Sequence, residues 1–415
     1  RYRMRTTVAL LLATLFTLAA CASGEPETEG SLAQGERSVS EPPASERADR
    51  QPQPQSPPAV QIQDTIAGRR IPTYRGFSTD FSLTTIEPQD ILDGGPPKDG
   101  IPAIDDPKFI SIAEAARWME SDEPVFAVSA DGTTHLYPVQ ILTYHEIVND
   151  VIGTTPVTVT YCPLCNTGIS FLRDFDGQIL DFGTTGRLRY SNLLMYDRQT
   201  ESWWQQATGE GVVGEYAGYQ LELYPMQMLP WDRAVERYPD AAVLSRETGF
   251  ARNYGTNPYV GYDTGDPFLY RGPATPGELN PMARVVQIVV DGATRAVPYP
   301  VVAEQGFVEH TVGGTPVVVF WEPGTASALD TRDIAAGRDV GSANAFARVH
   351  DGVTLEFESA AGGFTDVQTG SLWDATGLAV SGELSGARLE PVVGIQHFWF
   401  SYSAFALDER WPQDR

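Results

Sequence analysis

The sequence predicts a mainly β protein with short helices, built as two tandem related β-rich halves. Three observations carry that prediction. Val157, Val159 and Tyr161 alternate with Thr158, Thr160 and Cys162, which is the period of a strand with two different faces. Asp176-Gly177, a strong hairpin signal, separates strand-like runs at 169–175 and 178–182. Residues 131–165 also align without gaps with residues 291–325. In that alignment Asp131-Gly132 meets Asp291-Gly292, Pro138 meets Pro298, and Gly153-x-Thr155-Pro156 meets Gly313-x-Thr315-Pro316. The likeness resumes where Asp197, Thr200, Ser202 and Trp204 meet Asp366, Thr369, Ser371 and Trp373. We read an internal duplication, with one copy over residues 123–250 and a second over residues 283–415.

Taken in order, residues 1–21 resemble a bacterial lipoprotein signal. Arg1, Arg3 and Arg5 precede a short apolar run that ends at Cys21, the expected lipidation site. The run is too short to favour a spanning helix. Residues 22–60 are rich in Glu, Ser, Pro and Gln and are expected to form a disordered tether. Residues 61–122 form an N-terminal wrapping segment whose Gly and Pro content forbids regular structure, except for a short helix expected over 111–120. Residues 124–129 read as a strand. Pro138 opens a helix that carries Ile141, Tyr144, His145 and Val148 on one face. Residues 231–238 read as another short helix, and residues 251–282 as a linker loop.

The 415 residues carry a net charge of −25. This argues against nucleic acid or anionic lipid as a direct partner, since both recruit positive surface. With the expected lipid on Cys21, the protein belongs in the cell envelope outside the cytosol, its membrane contact made through that lipid.

The chemistry points to Cys162-Pro163-Leu164-Cys165, which holds two of only three cysteines. The second copy acts as an internal control. Cys162 aligns with Glu322, Cys165 with Thr325, and His145 with Gln305. Residues kept in both copies serve the fold, and three losses in one copy suggest a single site in the other. The first expectation is therefore one transition metal ion, zinc or copper, on Cys162, Cys165 and His145, with the second copy as scaffold. Met195 offers a soft thioether that suits Cu(I). Two alternatives stay open: a thiol–disulfide redox pair, and a non-enzymatic surface module in which the cysteines form a structural disulfide. Asn166 stands where covalent haem attachment requires His, and no phosphate-cradling motif accompanies Asp181-Phe182-Gly183, so neither haem nor nucleotide is expected. Asn166, Asn192, Met195, Asp197 and Trp203 are candidates for the walls of a pocket.

With these residues in view, the chain resembles a bacterial and archaeal family named only as domain of unknown function 3179. The resemblance rests on G-G-P-P-K-D-G-I-P-A-I-D, Y-H-E-I-V-N-D, V-T-Y-C-P-L-C-N-T-G, S-N-L-L-M-Y-D-R-Q-T-E-S-W-W and F-W-F-S-Y-S-A-F. It implies a secreted or lipid-anchored protein and supplies no activity.

Overall fold

A computed structural model describes residues 73–405. The expected signal segment with Cys21 and the expected tether lie outside the described residues. The described chain is mainly β with short helices, as the alternating runs predict.

One antiparallel sheet positions the cysteines. Its strands run in the order Ala293–Pro298, Arg284–Val290, Val393–Phe398, Thr167–Leu172, Thr155–Cys162 and Ile147–Ile152. The first three come from the second stretch of the alignment and the last three from the first. They join where Gln396 stands opposite Gly168. Gly is required there, because a Cβ on residue 168 would lie 2.4 Å from the ring of Phe126. The two stretches therefore complete one sheet between them. On the cysteine strand, Val157 and Val159 are fully buried, and so are Thr158 and Thr160 on the opposite side. The alternation therefore marks two buried faces, one apolar and one carrying hydroxyls, of which Thr160 donates to the Ile169 carbonyl at 2.8 Å.

Element order repeats along the chain. Pro124–Ala130, Thr133–Pro138, the helix Val139–His145, Ile147–Ile152 and Thr155–Cys162 are followed later by Arg284–Val290, Ala293–Pro298, the helix Tyr299–Gln305, Phe307–Val312 and Thr315–Glu322. Each helix follows a Pro at its N-cap, and each ends in a residue with positive φ, Glu146 or Gly306. The aspartate motif repeats atom for atom. The Trp204 indole N–H donates to Asp197 Oδ2 at 2.9 Å, and the Trp373 indole N–H donates to Asp366 Oδ2 at 2.9 Å. In both motifs the Thr three residues on donates its backbone N–H to the same aspartate at 2.6 Å.

Three segments differ in detail from expectation. The helix expected over 111–120 spans only Ile112–Ala115, held by a capping box between Ser111 and Glu114. The helix Val139–His145 is buried around most of its circumference, so it lacks a single apolar stripe. The wrapping segment is built into the core rather than laid over it. Ile91–Asp93 pairs with Phe182–Arg189, and Ile104 exchanges backbone bonds of 2.9 Å with Ile147 and Asn149.

The linker loop packs over the cysteine end of the sheet. It is anchored by the buried Asp263, which takes Arg284 at 3.2 Å and Arg338 at 2.7 Å. Among the described residues no helix is long and apolar enough to cross a membrane.

Candidate functional site

The cysteine pair is shaped by a tight hairpin. Thr155–Cys162 pairs antiparallel with Thr167–Leu172, so Cys162 stands opposite Thr167. The four residues between them must reverse the chain. Pro163 fixes φ for a one-turn 3-10 helix, Pro163–Cys165, and Asn166 completes the reversal at φ 48 and ψ 39, a conformation Asn tolerates. The return brings Cys165 back beside Cys162, in the same buried cluster. Both thiols are free and buried. In the thiol form, Cys162 Sγ donates to the Ser191 carbonyl at 3.8 Å. The backbone N–H groups of Leu193 and Cys165 favour its thiolate. Burial and the Cys165 sulphur outweigh them and push the Cys162 thiol well up. The sulphur thus has partners ready in either charge state.

Glu146 is a carboxyl close enough to Cys162 for their charges to interact. Burial, and secondly the charge of Cys162, push it well above the usual carboxylate range. It is 7 % exposed, and its side chain makes no hydrogen bond among the described residues. A Cys162 thiolate and a Glu146 carboxylate repel in this dry setting, so the pair favours keeping at least one proton between them.

Glu146 lines a cavity of about 560 Å³ together with Leu164, one of the two residues between the cysteines. The linker loop supplies its roof through Tyr259, Tyr262, Phe268 and Leu269. The Tyr262 hydroxyl donates to the Leu164 carbonyl at 2.8 Å and accepts from the Phe268 N–H at 3.1 Å, which ties the roof to the cysteine turn. Burial raises the Tyr259 phenol, with Glu146 the next cause. Ser191, fully buried, sits at φ 66 beside Tyr190 at φ 52. Two consecutive non-glycine residues in the left-handed region store strain next to the Cys162 sulphur.

The other residues singled out in the sequence fall as follows. His145 ends the helix Val139–His145 with its ring turned away from the sulphurs. Its Nδ1 donates to the Pro102 carbonyl at 2.8 Å, and its Nε2 accepts from the Tyr254 hydroxyl at 2.6 Å. Burial lowers its pKa, so the ring is neutral with both nitrogens committed. Among the described residues no three His, Cys, Asp or Glu side chains come together as a metal-ligand group. Met195 is fully buried in the same apolar cluster as Cys162 and Cys165. Asn166 accepts from the buried Tyr161 hydroxyl at 3.2 Å. Asn192 braces a turn, accepting from Gln205 Nε2 at 2.6 Å and from the Ala207 N–H at 2.9 Å. Asp197 is spent on Trp204 and Thr200. Trp203 packs with Tyr74, Phe77 and Phe81 in a separate core. None of these five lines the cavity.

Glu146, Tyr259 and Leu164 escaped the sequence reading, although a signal for Glu146 was present. It aligns with Gly306, and a carboxylate standing where its counterpart is Gly marks a position held in a costly conformation for its side chain. Tyr259 lies in a loop without periodicity, where no pattern identifies a contact partner.

The family model described as "Protein of unknown function (DUF3179)" matches residues 98–409. Neither a curated protein nor a solved structure matches the chain.

Proposed function

We propose, for a chain that belongs to the DUF3179 family of proteins of unknown function, that Cys162 and Cys165 are a two-electron thiol–disulfide redox pair with Glu146 as their proton acceptor. The observation that carries this is two free, buried cysteines of one tight turn, packed in one cluster, beside a buried carboxyl with no side-chain hydrogen bond. An inert pair needs no such neighbour.

The step balances as follows. Cys162 loses its proton to Glu146, and the thiolate is held by the N–H groups of Leu193 and Cys165. The thiolate attacks a substrate disulfide, forming a mixed disulfide and releasing one substrate thiolate, which takes a proton. Cys165 then attacks Cys162 Sγ. One S–S bond forms within the protein, the mixed disulfide breaks, and the second substrate thiol leaves with the second proton. Two thiols are oxidised and one disulfide is reduced. In the envelope setting expected for a chain lipidated at Cys21, such a pair has both oxidants and disulfide substrates at hand.

A second reading keeps the metal. Cys162, Cys165 and Met195 share one buried apolar cluster, a soft sulphur set that suits Cu(I) better than zinc. Elemental analysis of protein purified without chelator separates the two. Stoichiometric copper supports the second reading.

The redox reading is tested by trapping. With Cys165→Ser, a small aromatic disulfide should leave a stable mixed disulfide on Cys162, seen as a mass increase on the intact chain. With Cys162→Ser, Cys165 should react far more slowly. Equal failure of both variants to react would count against the reading.

A further inference from the structure

We propose that the cavity beside the cysteine pair binds an uncharged, largely apolar molecule with carbonyl acceptors, of the quinone class, and that this molecule exchanges two electrons with Cys162 and Cys165. This rests on the redox reading above.

The walls set the polarity. Ile101, Leu188, Leu193 and Leu269 face the cavity, and its volume of about 560 Å³ suits a ligand of ring-plus-side-chain size. The charges disfavour anionic oxidants such as a glutathione-type disulfide. Asp266 lines the cavity, its one guanidinium, Arg187, is engaged by Asp93 at 2.5 Å, and the chain carries a net charge of −25.

The donors set the recognition. Glu146 and Tyr259 both line the cavity, and neither side chain has a hydrogen-bond partner among the described residues. Once Glu146 has taken the Cys162 proton, its carboxyl and the Tyr259 phenol each offer one O–H. Two donors without a protein partner, one buried and one half-buried, facing an apolar cavity favour a ligand with two acceptors. A disulfide offers only weak acceptors, whereas a quinone offers two carbonyl oxygens.

The electron count also fits. Two S–H bonds break and one S–S bond forms, two electrons pass to the quinone, and its two oxygens take two protons to give the quinol. Glu146 and Tyr259 stand where those protons are delivered. Neither Cys162 nor Cys165 lines the cavity; Leu164, one of the two residues between them in the chain, forms part of its wall and joins the cavity to the cysteine turn.

The test uses the full chain and a short-chain, fully ring-substituted benzoquinone, which cannot arylate thiols by addition to an open ring carbon. Binding is read by quenching of tyrosine and tryptophan fluorescence, and electron transfer by loss of the quinone absorbance. The expected result is saturable binding, with one quinone reduced per dithiol. Cys162→Ser/Cys165→Ser should bind normally and reduce nothing. Glu146→Leu and Tyr259→Phe, which remove the donors, should each bind roughly fivefold to tenfold more weakly. Phe268→Ala, at an exposed roof position that tolerates truncation, should weaken binding by roughly tenfold. If the thiols cycle with oxidised dithiothreitol but the quinone neither binds nor is reduced, this inference falls and the redox reading stands. If the quinone binds and no oxidant removes the thiols, the redox reading falls, and this inference with it.

Discussion

Glu146 and Gly306 hold the same backbone conformation at equivalent helix ends, with φ 59 and ψ −28 for the first and φ 80 and ψ −33 for the second. Their carbonyls also accept equivalent bonds, from Tyr161 N–H at 2.8 Å and Trp321 N–H at 2.9 Å. Geometry therefore asks for Gly at both sites, and only the cysteine-bearing stretch declines it. Glu146→Gly should stabilise the fold by about 1 kcal/mol, by relieving a left-handed non-glycine residue and removing a buried acid. It should also slow dithiol oxidation by about a hundredfold, the usual size of a lost proton acceptor. Chemical denaturation and oxidation kinetics on the same sample check both. A loss of stability without a loss of rate would mean that Glu146 serves the fold.

The aspartate–tryptophan pairs make a matched experiment. Asp197→Ala leaves the buried Trp204 N–H unpaired, and Asp366→Ala does the same to Trp373. Each should cost about 1–3 kcal/mol. The double variant should cost their sum within about 0.5 kcal/mol, since the two motifs share no hydrogen-bond partner. Urea midpoints at constant slope provide the reading.

Stability should carry a pH signature from Glu123. Burial raises its carboxyl from 4.5 to about 7, against the opposing pull of the Glu120 N–H, Gln140 and Arg246, and with a small push from Asp333. Between those values the folded chain keeps a proton that the unfolded chain has released. The contribution is therefore full below about pH 4.5 and is lost as pH rises through 7. Glu123→Gln removes this dependence. It should gain on the parent chain by up to about 3 kcal/mol between pH 4.5 and pH 8, as judged by denaturation at both ends.

Gly186 holds a cavity wall. A Cβ there would lie 1.9 Å from the Pro96 carbonyl, and φ is +71. Gly186→Ala should cost about 1–3 kcal/mol and loosen the 94–97 segment, seen as faster proteolysis at that segment. The same change at Gly132, where φ is +74 but nothing lies within 4 Å, should cost only the backbone strain of about 1 kcal/mol.

Much of this architecture was legible in advance. Asp176-Gly177 forms the expected hairpin tip with φ values of 50 and 76, and the strand ending at Cys162 runs as its alternation implies. The cysteines stood out because Glu322 and Thr325 replace them in the later stretch. His145, expected beside the cysteines, is the last helical residue, and its ring bonds to Pro102 and Tyr254. The chain turns left-handed at the next position, Glu146, which lines the cavity. A one-residue change of backbone hand is invisible to periodicity. Tyr259 and Phe268 meet the site only through the path of an irregular loop. That path is set by the buried Asp263 clamp, whose arginines lie 21 and 75 residues away.

A redox titration of the two thiols tests the central claim most directly. In a Cys21→Ser chain equilibrated across dithiothreitol buffers, Cys162 and Cys165 should disappear together with a single two-electron midpoint. They should return fully on reduction, as counted by alkylation after acid quench. Two thiols that persist at every potential, or that vanish independently of one another, would contradict it.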